Sequence, residues 1–165
     1  MFNWKWPAHS EELYLFDQIE NDQSARLVKA ILHGRGPLKL YINSSGGVIG
    51  DAFAIIDAMM VSKRSIHTIV MGHADSSAAM IALAGTRRSI TANASMYFHN
   101  IATYQSRIWP LKSGFKPVAA TNFWQTQMCK IFNERVPQET TWAKVMDKRL
   151  SADMCVKMGV VEDVM

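Results

Sequence analysis

The amino-acid sequence predicts an α/β fold in which helices connect neighbouring strands. Short apolar runs of strand length alternate with longer segments whose apolar residues recur at helical spacing. Glycine-bearing turns separate the two kinds of segment, and this alternation is typical of crossover connections in a largely parallel sheet. The chain has 165 residues, which is long enough for one domain with a substantial core.

The predicted strands are short runs rich in branched and aromatic residues. The first is Leu13-Tyr14-Leu15-Phe16, and the third, residues 66–71, is predicted to end at Gly72. The other predicted strands span residues 38–42, 88–91, 95–99 and, at the C-terminal end, 160–164.

The helix predictions rest on apolar spacing and on stop signals. The first helix is predicted to begin at a cap formed by Asn21 and Asp22 and to end at Gly34. The later helices are predicted at residues 48–60, 76–84, 119–135 and 140–146. Residues 100–117 lack a regular pattern and are predicted to form a long loop or an extension, which is often functional in a compact domain.

Composition and charge limit the classes of function. Apolar residues make up 48% of the chain and charged residues 19%, which is ordinary for a globular protein. The net charge of +4 comes from scattered basic pairs, so we expect no nucleic-acid partner. No apolar run is long enough to span a bilayer, and residues 1–10 have no signal-peptide core, so we expect no membrane partner. Cys129 and Cys155 lack metal-ligand spacing, which favours reduced thiols in a cytoplasmic compartment and no metal site.

Two glycine-bearing turns each lie between a predicted strand and a predicted helix. They are residues 45–48, Ser-Gly-Gly-Val, and residues 72–77, Gly-His-Ala-Asp-Ser-Ser. Backbone N–H groups at a helix N-terminus have no partner within the helix and concentrate positive potential there. Ser76 would therefore have its hydroxyl beside donors suited to a developing oxyanion, although this pattern alone favours a simple helix cap.

His99 closes the last apolar strand and is a candidate general base. The chain has five histidines, and a histidine at a strand end is more often structural, so position alone does not select it. The acids available to orient a base are Asp51, Asp57, Asp75, Asp147 and Asp153. Because catalytic triads assemble from distant positions, the local sequence does not rank them.

Several segments together resemble the Clp protease proteolytic subunit (ClpP) family. Residues 40–49, Leu-Tyr-Ile-Asn-Ser-Ser-Gly-Gly-Val-Ile, resemble the family segment Tyr-Ile-Asn-Ser-Pro-Gly-Gly, and residues 72–79 resemble its nucleophile segment Gly-Gln-Ala-Ala-Ser-Met. Residues 96–99 are similar to its Met-Ile-His segment. Residues 147–152 are similar to Asp-Arg-Phe-Leu-Ser-Ala, and residues 157–163 to Glu-Tyr-Gly-Leu-Val-Asp. The segments follow the family order.

The resemblance implies a ClpP/crotonase-like spiral of ββα units with a handle extension. It divides the chain into an N-terminal arm, residues 1–12, and a peptidase domain, residues 13–165, with the handle near residues 100–135. It implies a serine endopeptidase that needs no cofactor. The family's catalytic residues correspond to Ser76 as nucleophile, His99 as general base and Asp147 as the residue that fixes the imidazole tautomer.

The resemblance also assigns roles to the backbone of the two turns. The N–H groups of Gly47 and Ser77 correspond to the oxyanion hole. The substrates implied are peptides or unfolded proteins, and the peptide is expected to pair as an added strand beside Gly46 and Gly47.

Assembly and partners are also expected from the family. The resemblance implies a homo-oligomer of two stacked rings, and four aromatic residues expected to be exposed favour burial between subunits: Trp109, Phe115, Phe123 and Trp124. A Clp-type ATPase is an open partner. Its docking is disfavoured because Lys39 stands where the family's docking cleft has a second tyrosine beside Tyr41. In addition, only residues 1–12 precede the predicted domain, which is too few for the family's axial gate and entry helix. We expect hydrolysis without ATP, with ATPase-assisted hydrolysis kept as the alternative.

Some positions depart from the family pattern. Ser45 replaces its proline and Ser77 its methionine, and both changes are expected to be tolerated because the backbone acts there. Asp75 directly precedes the proposed nucleophile, where a carboxylate facing the site would oppose the growing negative charge. We expect Asp75 either to point away and pair with a base such as Arg87 or Arg88, or to lower activity.

Three other functions remain open from the sequence. Asn100 follows His99 where the family usually has glutamine, and this resembles the head-maturation peptidases of tailed phages. This feature fits a virus-encoded or otherwise reduced homologue acting in the host cytoplasm. A crotonase-like acyl-CoA enzyme has a related fold but would not need Ser76 and His99 together with Asp147. An inactive, structural ring subunit is supported by Asp75 alone.

Overall fold

The computed structural model describes residues 10–101 and 117–165. Its strands are β1 (Glu11–Phe16), β2 (Leu38–Ser44), β3 (Ile66–Asp75), β4 (Arg87–Ile90), β5 (Ser95–Phe98), β6 (Lys148–Ser151) and β7 (Asp163–Val164). Its helices are α1 (Asn21–His33), α2 (Ile49–Val61), α3 (Ser77–Ala84), α4 (Pro117–Arg135), α5 (Trp142–Val145) and α6 (Ala152–Lys157). Most of the predicted irregular stretch, with Trp109 and Phe115, lies outside the described residues.

In the described residues, the strands form one mixed but mainly parallel sheet. The order β1-β2-β3-β4-β7 is parallel throughout, and α1, α2 and α3 connect consecutive strands within it. β5 pairs with β3 in parallel and with β6 in antiparallel orientation. The α/β class with crossover helices, predicted from the alternation of apolar runs, is therefore observed.

Strand β3 divides the sheet into two branches. Its first half, His67–Val70, pairs with β4, whereas its second half, from His73 to Asp75, pairs with β5. The first five residues of β3, from Ile66 to Val70, are all buried, as expected of a central strand covered on both faces. The C-terminal end of β3 therefore lies in the branch that contains β5.

The prediction that the third strand ends at Gly72 is wrong. The pairing of β2 with β3 shifts register between Ile42 and Ser44, so the extra residues of β3 form a bulge. Gly72 lies in this bulge with φ of +75°, and Asn43 Oδ1 accepts a hydrogen bond from the His73 N–H at 3.3 Å. The glycine therefore bends the strand without ending it, and the strand continues to Asp75.

Other boundaries also differ from the predictions. Glu20 is the N-cap of α1, and its side chain makes no cap hydrogen bond, so the predicted cap at Asn21 is wrong by one residue. The first strand begins at Glu11, before the predicted Leu13. β6 and α6 were not predicted as elements, since four and six residues are too few for a clear periodic pattern.

Helix α4 is attached to the sheet by aromatic packing. Phe132 contacts Phe98 of β5 and Trp142, with ring centroids 5.8 Å and 5.4 Å apart respectively. Trp124 packs on Phe53 of α2 at 4.8 Å and is half-buried, so its expected exposure is wrong. Phe123 is 55% exposed, as expected.

The described part of the chain contains no helix that is long and apolar enough to span a bilayer. Both cysteines are free thiols. Cys155 is fully buried, and burial raises the pKa of its thiol to about 12, so this thiol is protonated and unreactive near neutral pH.

Candidate active site

Ser76 occupies the turn between β3 and α3. Its φ of 57° and ψ of −126° lie outside the regions that residues other than glycine usually adopt. The turn is held because the Ser76 N–H donates to the Tyr97 carbonyl of β5 at 2.8 Å. Backbone strain of this kind persists only where the surroundings impose it, and it is concentrated at functional sites. Ser76 occupies the N-cap position of α3, but its side chain makes no cap hydrogen bond.

Ser76 and His99 line the same cleft, which has a volume of about 340 Å³. The strand order explains why they lie together, because β3 ends just before Ser76 and its neighbour β5 ends just before His99. The other residues that line the cleft are Gln18, Ser45, Gly46, Gly47, Ile49, Ser77, Ile101 and Met128. The structure thus brings together the candidate nucleophile, the candidate base and both glycines of the first turn.

The imidazole of His99 has a defined tautomer. Its Nδ1 lies 2.6 Å from the carbonyl oxygen of Asn100. Because a carbonyl oxygen only accepts hydrogen bonds, Nδ1 must carry the proton in the neutral ring, and Nε2 is left with a lone pair. The ring also stacks on Tyr97, with centroids 5.7 Å apart. A histidine in this state is suited to accept a proton through Nε2.

Asp147 lies next to β5, the strand that ends just before His99. It has a φ of 57°, and its N–H donates to the Phe98 carbonyl at 2.7 Å. Its Oδ1 accepts a long hydrogen bond of 3.5 Å from the Tyr97 hydroxyl. Within residues 10–101 and 117–165, no hydrogen bond joins His99 to Asp147 or to Ser76. Asp147 is thus near the site, but Tyr97 and not the imidazole is its side-chain partner.

The Gly46-Gly47 turn closes against the Ser76 turn. Gly46 has a φ of +88°, and a Cβ there would lie 2.7 Å from the Asp75 carbonyl oxygen and 2.9 Å from the Ser76 Cβ. A Cβ on Gly47 would lie 2.3 Å from the Ile19 carbonyl oxygen. Both positions therefore require glycine because backbone from other segments approaches too closely.

The two amides expected in the oxyanion hole have different surroundings. The Gly47 N–H donates to Ser77 Oγ at 3.0 Å, so a side chain already accepts from it. Ser77 is the first residue of α3, where an N–H has no partner within the helix. Ile19 pairs with one edge of the glycine turn, since its N–H donates to the Gly46 carbonyl and its carbonyl accepts from the Val48 N–H.

The predicted partners of Asp75 are wrong. Arg87 pairs with Asp163, and Arg88 pairs with Glu162. Asp75 instead pairs with Arg149 of β6, a residue that sequence reasoning did not select. The signal in the sequence that could have indicated this partner was Arg149 itself, because the similar family segment has phenylalanine at this position.

A second serine–histidine–aspartate set lies elsewhere in the sheet. His67 Nε2 is 2.7 Å from Ser89 Oγ, and the Ser89 hydroxyl donates to Asp163 of β7. Ser89 is fully buried and His67 is 5% exposed, so a substrate has no access to this serine. Burial lowers the pKa of His67 to about 4, with the Arg87 charge adding to the effect. This set connects β3, β4 and β7 and is structural.

A strained serine at a strand-to-helix turn, a histidine in the same cleft and backbone amides beside them are together typical of serine hydrolases on α/β scaffolds. The chain belongs to the Clp protease family, whose model, described as Clp protease, matches residues 8–165. This membership confirms the resemblance seen in the sequence and supports a peptidase function.

Named relatives and one solved structure agree with this assignment. The chain is 28% identical over 155 residues to ATP-dependent Clp protease proteolytic subunit 1 of Corynebacterium diphtheriae, covering 90% of this chain and 73% of that protein. It is 29% identical over 162 residues to ATP-dependent Clp protease proteolytic subunit 2 of Corynebacterium jeikeium, with the same coverage of 90% and 73%. Its fold matches the crystal structure of the ClpP protease catalytic domain from Plasmodium falciparum with a TM-score of 0.77 at 22% identity, covering 94% of this chain and 85% of that chain.

Proposed function

We propose that the protein is a serine endopeptidase in which Ser76 is the nucleophile and His99 the general base. The observation that carries this proposal is the shared cleft, in which Ser76 sits on a strained turn and the His99 Nε2 is left to accept a proton. Asp147 is the proposed third member, which stabilises the imidazolium once it forms.

The proposed reaction begins when the Ser76 hydroxyl oxygen attacks the scissile carbonyl carbon. The His99 Nε2 takes the hydroxyl proton, and the carbonyl oxygen becomes an oxyanion that the N–H groups of Gly47 and Ser77 stabilise. Collapse of this intermediate breaks the C–N bond, and His99 returns the proton to the leaving amine. A water molecule then hydrolyses the acyl-enzyme by the same route, with His99 again as base.

The residues that line the cleft also indicate which kind of substrate it would bind. An extended peptide is proposed to pair as an added strand beside Gly46 and Gly47, which line the cleft. Ile49, Ile101 and Met128 supply its apolar lining, which favours an apolar side chain next to the scissile bond. Peptides and unfolded proteins are the substrates that present such an extended backbone.

We further propose that the protein works as a homo-oligomer of two stacked rings. Its relatives are named as proteolytic subunits of ATP-dependent Clp proteases. Phe123, on the helix proposed to belong to the handle, is 55% exposed, and an interface between subunits would cover it. Light scattering at micromolar concentration tests the proposal, and a monomeric mass would exclude it.

Covalent labelling with a fluorophosphonate, followed by peptide mapping, tests the nucleophile. Label is expected on Ser76 of the wild-type chain and absent from Ser76→Ala, whereas Ser77→Ala should still be labelled. A folded wild-type protein that takes no label would overturn the proposal and favour a crotonase-like acyl-CoA enzyme or an inactive ring subunit. Asp75 is the one feature that favours an inactive subunit, and its ion pair with Arg149 weakens that alternative.

A further inference from the structure

Arg149 binds the carboxylate of Asp75 with both ends of its guanidinium group. Nη1 donates to Oδ1 at 3.0 Å, Nη2 donates to Oδ2 at 2.8 Å, and Nη1 also donates to Ser95 Oγ at 2.9 Å. The Asp75 side chain is only 16% exposed, so most of its surface is withdrawn from water. Two parallel hydrogen bonds fix the orientation of the carboxylate, and the guanidinium also balances its negative charge.

Strand register brings the two residues together across 74 positions of sequence. Asp75 of β3 pairs with Tyr97 of β5, and Tyr97 pairs with Arg149 of β6. The three residues therefore form a row across three adjacent strands. The Arg149 guanidinium lies over the Tyr97 ring, 5.5 Å from its centroid. This cation–π contact helps to orient the Arg149 side chain towards Asp75.

The row ends at the proposed nucleophile. Asp75 is directly followed by Ser76, whose N–H donates to the carbonyl of the same Tyr97. Negative charge develops beside Ser76 during acylation, and an unpaired carboxylate one residue away opposes it. When the Arg149 guanidinium pairs with Asp75, it cancels most of the electrostatic repulsion between this carboxylate and the developing oxyanion.

We propose that Arg149 is a positioning residue for the hydrolysis, which neutralises Asp75 beside Ser76 and turns its carboxylate away from the developing oxyanion. This inference rests on the proposed function. It assigns Asp75 and Arg149 as a matched pair, in which the arginine makes an acidic residue compatible with the nucleophile turn.

Two isosteric variants separate this role from a merely structural one. Arg149→Gln and Asp75→Asn break the same ion pair, but only Arg149→Gln leaves a carboxylate beside Ser76. The rate constant for fluorophosphonate labelling of Ser76 is expected to fall roughly tenfold in Arg149→Gln at low salt, and to recover partly in 1 M salt. Asp75→Asn alone should stay within about twofold of wild type, and adding it to Arg149→Gln should restore the rate.

Equal losses in both single variants, or no rescue in the double variant, would show that the pair only supports the fold. Arg149→Lys keeps the charge and provides a second comparison if Arg149→Gln does not fold; it should retain more of the labelling rate than a neutral residue. The wild-type chain separates the two claims. If it takes no label, the proposed function fails, whereas equal labelling of wild type and Arg149→Gln rejects this inference alone.

Discussion

The Gly47 N–H donates a 3.0 Å hydrogen bond to the hydroxyl of Ser77, the residue that follows the proposed nucleophile. One of the two amides proposed for the oxyanion hole therefore already has a partner before substrate binds. Ser77 is 1% exposed, so water does not readily replace its hydroxyl. The same hydroxyl donates to the Gly47 carbonyl oxygen at 3.4 Å. An oxyanion that binds the Gly47 N–H must displace the hydroxyl and forfeit the hydrogen bond that this N–H donates to it.

Ser77→Ala is expected to increase the rate of Ser76 acylation. Removing the hydroxyl frees the Gly47 N–H, and a net hydrogen-bond contribution of about 1 kcal/mol corresponds to a gain of about fivefold. The measurement is the labelling rate constant, with Ser45→Ala as control because Ser45 lines the same cleft. A slower reaction at unchanged melting temperature would mean that the Ser77 hydroxyl itself helps to stabilise the oxyanion.

Asp147→Asn is expected to lower kcat much less than His99→Ala. The Asn100 carbonyl already accepts from the His99 Nδ1 and maintains the tautomer, whereas no other described group replaces the Nε2 base. His99→Ala should approach the loss seen for Ser76→Ala, and Asp147→Asn should retain about a hundredfold more activity. Steady-state hydrolysis of a fluorogenic peptide provides the comparison. Equal losses would indicate that Asp147 moves onto the imidazole when substrate binds.

The buried His67 is expected to make the fold sensitive to acid. Its folded-state pKa of about 4 lies below the ordinary value of 6.5, so the unfolded chain binds the proton more readily. The stability contributed by neutral His67 is therefore fully present above pH 6.5 and is lost as the pH falls from about 6.5 towards 4. The measurement is the melting temperature across that interval.

Ser89→Ala and the exposed-site variant His33→Gln provide comparisons for this prediction. Ser89→Ala removes the partner of His67 Nε2 and the link to Asp163, and it should lower the melting temperature at neutral pH. His33 is exposed, so His33→Gln should leave the acid dependence intact. An unchanged melting temperature from pH 6.5 to 4 in the wild-type chain would contradict the burial argument.

Lys39 is expected to disfavour docking of a Clp-type ATPase. Its Nζ lies 3.3 Å from Glu12 Oε1, and the same carboxylate oxygen accepts from the Tyr41 hydroxyl at 3.3 Å. The Tyr14 and Tyr41 rings stack beside this pair, with centroids 5.3 Å apart. An apolar segment binding there must desolvate both charges, which is costly.

Peptide hydrolysis should therefore proceed without ATP, and adding a Clp ATPase with ATP should not degrade a tagged folded substrate. Lys39→Tyr combined with Glu12→Gln removes the charges and is the variant in which stimulation could appear. Robust ATP-dependent degradation by the wild-type chain would show that this charged pair does not block docking.

Local sequence was sufficient to predict most of the strands and helices in their order, but not β6 and α6. Apolar runs, helical spacing and glycine stops depend on residues close together in the chain, and they placed Ser76 at a strand-to-helix turn and His99 at a strand end. The resemblance of several segments in order then predicted the family, which the family model confirms. The roles of Ser76, His99 and Asp147 remain predictions that labelling and kinetics can test.

The pairing of side chains was decided only by the tertiary structure. Asp75 meets Arg149 and not Arg87 or Arg88, because the register of β3, β5 and β6 determines which distant residues lie side by side. The bulge at Gly72 and the packing of Trp124 on Phe53 likewise depend on neighbours from other segments. Periodicity specifies which face of an element is apolar, but the partner across that face is set by how the elements assemble.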